Sequence, residues 1–132
     1  MFYTDGLKVW NKYHRIVKNS TNIGYPWFDI VNSSRQGVLL LRNDKDKIYL
    51  FNTERQARQG GLNYSVIEIG SNKDSGFVST VRKNIVEYTN EAITAINHYN
   101  ERDIWVISHS ALDNRFYTIL LKMDGSISCL NE

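Results

Sequence analysis

A single cysteine, Cys129, and a single proline, Pro26, stand among 132 residues. One thiol excludes an internal disulfide framework and any multi-cysteine metal site. Within Ile127-Ser128-Cys129-Leu130 it reads as a small buried hydrophobe. No apolar run approaches the roughly 20 residues that a membrane-spanning helix needs, so no membrane span is expected. Neither sign of charge dominates: sixteen basic against fourteen acidic side chains leave a net +2. The densest basic run, Arg55 to Arg58, is broken by Gln56 and Ala57. A nucleic-acid binder presents a stripe of cations, and none is written here. Signatures of catalysis are missing too, with no G-x-S-x-G, no phosphate loop and no H-E-x-x-H. The opening Met1-Phe2-Tyr3-Thr4-Asp5-Gly6 lacks the basic and apolar regions of a secretory signal. It reads as the middle of a β-hairpin, which points to a piece of a longer protein.

What the chain does contain is repetition. Val38-Leu39-Leu40-Leu41, a charged turn and Ile48-Tyr49-Leu50-Phe51 return 56 positions later as Thr94-Ala95-Ile96-Asn97, a charged turn and Ile104-Trp105-Val106-Ile107. Tyr64-Ser65-Val66-Ile67 returns as Tyr117-Thr118-Ile119-Leu120, at an offset of 53. Tyr3-Thr4-Asp5-Gly6-Leu7 has a partial echo in Lys122-Met123-Asp124-Gly125-Ser126. Asp-Gly at both places signals a type I′ hairpin, whose two central residues need positive φ. The repeated runs are apolar at nearly every position, so each strand must be covered on both faces. Tandem antiparallel sheets packed face to face meet that demand, as in propellers. Residues 82–98 are ambiguous: Ile85, Tyr88, Ala92, Ile93 and Ile96 fit a helical stripe about as well as two strands. Alignment of 93–98 with 37–42 favours strands; an α+β fold is the alternative. The expected fold is therefore all-β, a partial β-propeller of two to three antiparallel four-stranded blades. Its parts are a truncated blade and loop at 1–35, a blade at 36–90 and a blade at 91–132. Uncovered blade faces, with residues such as Leu39, Ile48 and Ile119, would then drive self-association.

Few side chains suggest chemistry. His98 and His109 end antiparallel neighbours, on the order of 20 Å apart at ~3.3 Å per residue, too far for one zinc ion, and nothing brings His14 between them. No metal site and no cofactor are expected, and His109 is read as holding a loop through a backbone hydrogen bond. Asn72-Lys73-Asp74-Ser75-Gly76 partly matches a sialidase-type Asp-box, a structural turn in which Asp74 would bond its own backbone. Asn43-Asp44-Lys45-Asp46 lacks the glycine and distal glutamate of a calcium loop and reads as a solvated hairpin tip. Asn19, Asn32 and Asn63 begin N-glycosylation patterns. Glycosidase chemistry needs two carboxylates about 5 to 9.5 Å apart, and sequence does not pair Glu68, Glu91, Asp103 or Asp113. The candidate ligand-binding residues are the loop aromatics Tyr25, Trp27 and Phe28, with Arg35; the competing reading has them plug the core. Tyr49, Trp105, Tyr64 and Tyr117, in repeated strand positions, read as packing between sheets.

Phe2-Tyr3-Thr4-Asp5-Gly6-Leu7-Lys8-Val9-Trp10-Asn11 and the following His14 resemble the stretch L-F-Y-T-D-G-x-x-V-W-N-x-x-H-x-x-M. It occurs in the propeller-like region of secreted Bacteroidetes proteins that end in a gliding-motility-associated or type B sorting domain. Gly61-Leu62-Asn63-Tyr64-Ser65-Val66 and Asp103-Ile104-Trp105-Val106-Ile107-Ser108-His109 are similar to that family's G-L-x-Y-S-V and D-Y-W-V-V-T-H. The similarity covers about residues 2 to 122; Tyr25-Pro26-Trp27-Phe28 is bulkier than the family's short Gly/Ser link. The resemblance implies an extracellular or cell-surface propeller fragment, acting as a non-enzymatic binding, adhesion or scaffold module for a protein or glycan. The alternatives are part of a glycan-acting enzyme, or a structural spacer.

Overall fold

A computed structural model describes residues 1–24, 37–42, 46–53, 61–72 and 74–130. Its described residues form ten strands and no helix. β1 (Phe2–Thr4) and β2 (Val9–Asn11) make an amino-terminal hairpin. β3 (Val38–Arg42), β4 (Lys47–Thr53), β5 (Leu62–Ile69) and β6 (Gly76–Val86) follow in sequence as an antiparallel central sheet. β7 (Thr89–Asn97), β8 (Ile104–Ser110), β9 (Phe116–Leu121) and β10 (Ile127–Cys129) repeat that order in a carboxyl-terminal sheet. The stretch open to a helical reading is thus the end of β6 and all of β7. The two sheets are joined through Glu87 and Tyr88 alone, with Tyr88 at φ 55° and its carbonyl bonded by the Ala111 amide at 2.7 Å.

The turns follow their residues, with one correction. Neither Asp-Gly makes a type I′ turn, because only the glycine of each pair has positive φ, 89° at Gly6 and 86° at Gly125. Asp5 Oδ1 instead accepts the Leu7 and Lys8 amides at 2.8 and 2.9 Å, closing a four-residue loop. Lys122 bonds the Ser126 carbonyl and Gly125 bonds that of Lys122, the three-residue loop with a left-handed bulge residue. Asn11 to Arg15 repeats that pattern, with His14 in the left-handed position at φ 60°.

Successive residues of β4 point into different cores. Leu50 joins Val9, Val17, Ile23, Ile67 and Val78, against which Phe2, Val38, Leu40 and Ile48 pack. This is the amino-terminal hairpin lying over one face of the central sheet. Ser20, fully buried, fastens the segment after it: its hydroxyl accepts from the Val9 amide at 3.2 Å and donates to the Val9 carbonyl at 3.1 Å. Phe51 joins Tyr49, Leu62, Val66, Ile93, Val106, Tyr117, Ile119 and Leu121 in the second core, where the carboxyl-terminal sheet covers the opposite face. The central sheet is covered on both sides, as its unbroken apolar strands require. Leu39, Ile48 and Ile119 are therefore not the uncovered residues: Ile119 is fully buried and the other two pack against the cores.

Candidate functional site

The order of layers is hairpin, central sheet, carboxyl-terminal sheet, and register shows what each face is for. Tyr49 pairs with Leu41 and Val66, and Phe51 with Leu39 and Tyr64. Trp105 pairs with Ile96 and Leu120, and Ile107 with Thr94 and Thr118. Superposing Tyr49 on Trp105 thus places Leu41 on Ile96 and Val66 on Leu120. The first strand repeats at 55 and the third at 54, not 56 and 53. A slip of one residue exchanges the two faces of a strand. The face through which the central sheet receives its neighbour, Leu39, Leu41, Tyr49, Phe51, Tyr64 and Val66, is thus repeated as Thr94, Ile96, Trp105, Ile107, Thr118 and Leu120.

No core cluster among the described residues contains Ile96, Trp105, Ile107 or Leu120. Ile96 is 55% exposed, and Phe116, on the same face at the opposite end of the sheet, is 58% exposed. Trp105 is therefore not packing between sheets, unlike the buried Tyr49 and Tyr117; it lies on this outer face, with the His98 ring 5.3 Å away. The expectation that Ile104 to Ile107 are covered on both sides is met on one side only, where Val106 is fully buried.

The turns at the edges of this sheet are held by carboxylates. Asp103 accepts from the Asn100 amide side chain at 2.9 Å and the Met123 backbone at 2.8 Å, which hold its pKa below the ordinary carboxylate range. Asp113 is lowered by the Arg115 backbone amide and the Ser110 hydroxyl, and Asp124 by the Ser126 hydroxyl and amide. Asp113 and Asp124 are exposed and Asp103 is half-buried; the bonds they make mark them as turn-formers.

The histidines are dispersed. The His14 Nδ1 lies 2.6 Å from the Tyr3 hydroxyl, and His98 Nδ1 accepts from the Asn100 amide at 3.2 Å. His98 is bonded through its amide to Asp103 at one end of the β7–β8 pair, while His109 pairs with Phe116 at the other. His109 Nδ1 is 2.5 Å from the Ser110 carbonyl and 3.2 Å from the Asn90 side-chain nitrogen. The nearer contact is to backbone, as the sequence suggested. Asp74 does not bond its own turn. Asn72 Oδ1 takes the Asp74 and Ser75 amides at 3.1 and 2.7 Å, freeing the Asp74 carboxylate to meet Lys12 Nζ at 2.9 Å. The pairing raises the Lys12 pKa, chiefly through that hydrogen bond. Asn63, of the glycosylation pattern, is 3% exposed and bonded to Asn84, so it offers no acceptor amide to a glycan.

Tyr25, Trp27, Phe28 and Arg35 lie outside the described residues, as do Asn32, Asn43 to Lys45 and the Arg55–Arg58 run. Among the described residues, two buried polar atoms lack a partner, Asn52 Oδ1 and Thr89 Oγ1. No helix among the described residues is long and apolar enough to cross a membrane. No family model, curated protein or solved structure matches the chain.

Proposed function

We propose that this chain is a non-enzymatic binding and scaffold module, built of sheets stacked in the manner of successive propeller blades, with the outer face of the carboxyl-terminal sheet as its docking surface. One observation carries the reading. That face repeats, strand for strand, the surface with which the central sheet grips its neighbour, and it holds Ile96, Trp105, Ile107 and Leu120 outside either core. A surface shaped for a sheet, and left open, is an attachment site for another layer. The sequence motifs shared with secreted Bacteroidetes propeller-like regions support a place outside the cell or at its surface.

The test is binding of an apolar fluorescent dye by the dilute, folded chain. Dye binding that falls at least by half in Ile96→Glu, with an unchanged melting temperature, supports the reading. Dye binding that is absent, or indifferent to Ile96→Glu, contradicts it.

A further inference from the structure

Among the described residues, the stack leaves two surfaces over, one at each end. At the carboxyl-terminal end it is the face just described. At the other it is the outer side of the amino-terminal hairpin, where Tyr3 and Trp10 are cross-strand partners with ring centroids 5.5 Å apart and planes 14° from parallel. Ile16, bridged to Trp10 and 51% exposed, extends that side. Tyr3, Trp10 and Ile16 belong to neither core cluster. Their neighbours Phe2, Val9 and Val17 point the other way, into the first core.

The two internal contacts have the same sense. The side of the hairpin toward the carboxyl terminus meets the near side of the central sheet, and the far side of that sheet meets the near side of the next. Adding one more layer in that sense would set the outer face of the carboxyl-terminal sheet against the outer side of an amino-terminal hairpin. We infer that the occupant of the open face is a second copy of this chain, docked head to tail through Tyr3, Trp10 and Ile16. The inference rests on the docking face proposed above. It continues an interface the molecule already makes, with the aliphatic and aromatic side chains that such a contact uses. A net charge of +2 is too small to keep copies apart. The contact is heterologous, using a different patch on each copy, so it builds chains or closed rings and not only pairs.

Sedimentation of the full chain over a concentration series tests this, with two single substitutions at half-exposed positions, Ile96→Glu and Ile16→Glu. The wild type is expected to show an average mass rising above the monomer's 15.3 kDa, and each variant alone is expected to stay monomeric. Mixed, the two variants retain one good face each and should form a species of twice the monomer mass and nothing larger. Circular dichroism melts confirm that both variants are folded; should either fail to fold, Ile96→Ser and Ile16→Ser replace them in the same experiment. A wild type that is monomeric throughout overturns the inference, while dye binding sensitive to Ile96→Glu would still leave the docking face standing. Continued association of Ile16→Glu alone also overturns it, since two identical faces would then be meeting. Association unaffected by either variant overturns both the second copy and the face.

Discussion

Phe51 and Ile107 occupy equivalent places in the two four-stranded sheets, one on a covered face and one on an open face, so truncating each to alanine measures the stacking directly. Phe51 is fully buried at the centre of the second core. A phenylalanine side chain removes about 150–250 Å² from water, which at ~25 cal/mol per Å² is on the order of 4–6 kcal/mol. Alanine keeps part of that area and leaves a cavity, and the expected loss is about 3–5 kcal/mol. Domains of this size are stable by about 5–15 kcal/mol, so the substitution removes about a fifth of the total or more. With a urea slope near 2 kcal/mol per M, the midpoint falls by roughly 2 M. Ile107→Ala, measured at a concentration dilute enough to keep the chain monomeric, is expected to cost about 1 kcal/mol or less. The assay is urea unfolding followed by circular dichroism. A Phe51→Ala cost under about 1 kcal/mol, or equal costs for the two, would refute the stacked arrangement.

Three further outcomes follow from local structure. Thr89→Val, which deletes a buried hydroxyl without a partner and keeps the shape, should raise stability by about 1 kcal/mol in the same unfolding assay; a loss would mean that the hydroxyl is satisfied. Gly61→Ala should lower it by more than about 2 kcal/mol, because φ is +56° and an added Cβ would collide with the Val86 carbonyl and the Glu87 Cα; an unchanged midpoint would place Gly61 elsewhere. The lowered pKa values of Asp103, Asp113 and Asp124 fix the sign of an acid effect. Their contribution is complete above the unfolded-state value near pH 4 and is lost as pH falls through the lower folded-state values. Thermal melts from neutral pH downward should therefore show a decline below about pH 4, made shallower by Asp103→Asn. An identical decline in that variant would remove Asp103 from the account.

Much of the fold was legible because the physics was local or was written twice. Leu50 and Phe51, adjacent and both large, announced two covers for one strand, and two cores are found. The glycines of both Asp-Gly pairs announced left-handed turn positions. Register was not legible, for a reason contained in the same residues. A strand apolar at every position carries no period-two signal, so a one-residue slip in hairpin length leaves no mark on the sequence. The open face was hidden with it, since Trp105 was aligned with Tyr49 but its partners were not. Asp74 was misread because its salt bridge spans 62 positions to Lys12, beyond any local rule, while Asn72 took over the turn. The loop aromatics Tyr25, Trp27 and Phe28 fall outside the described residues.

The central claim is that sheets stack face on face, with β4 between two cores and the outer face of β8 open. Nuclear Overhauser contacts on the dilute chain test it most directly. Contacts from the Phe51 ring to the methyls of Ile93, and from the Leu50 methyls to Val17, are predicted together, with no contact from the Trp105 ring to either core. Absence of the Phe51–Ile93 contact, or a Trp105 ring in contact with Ile119 or Val106, would contradict the account.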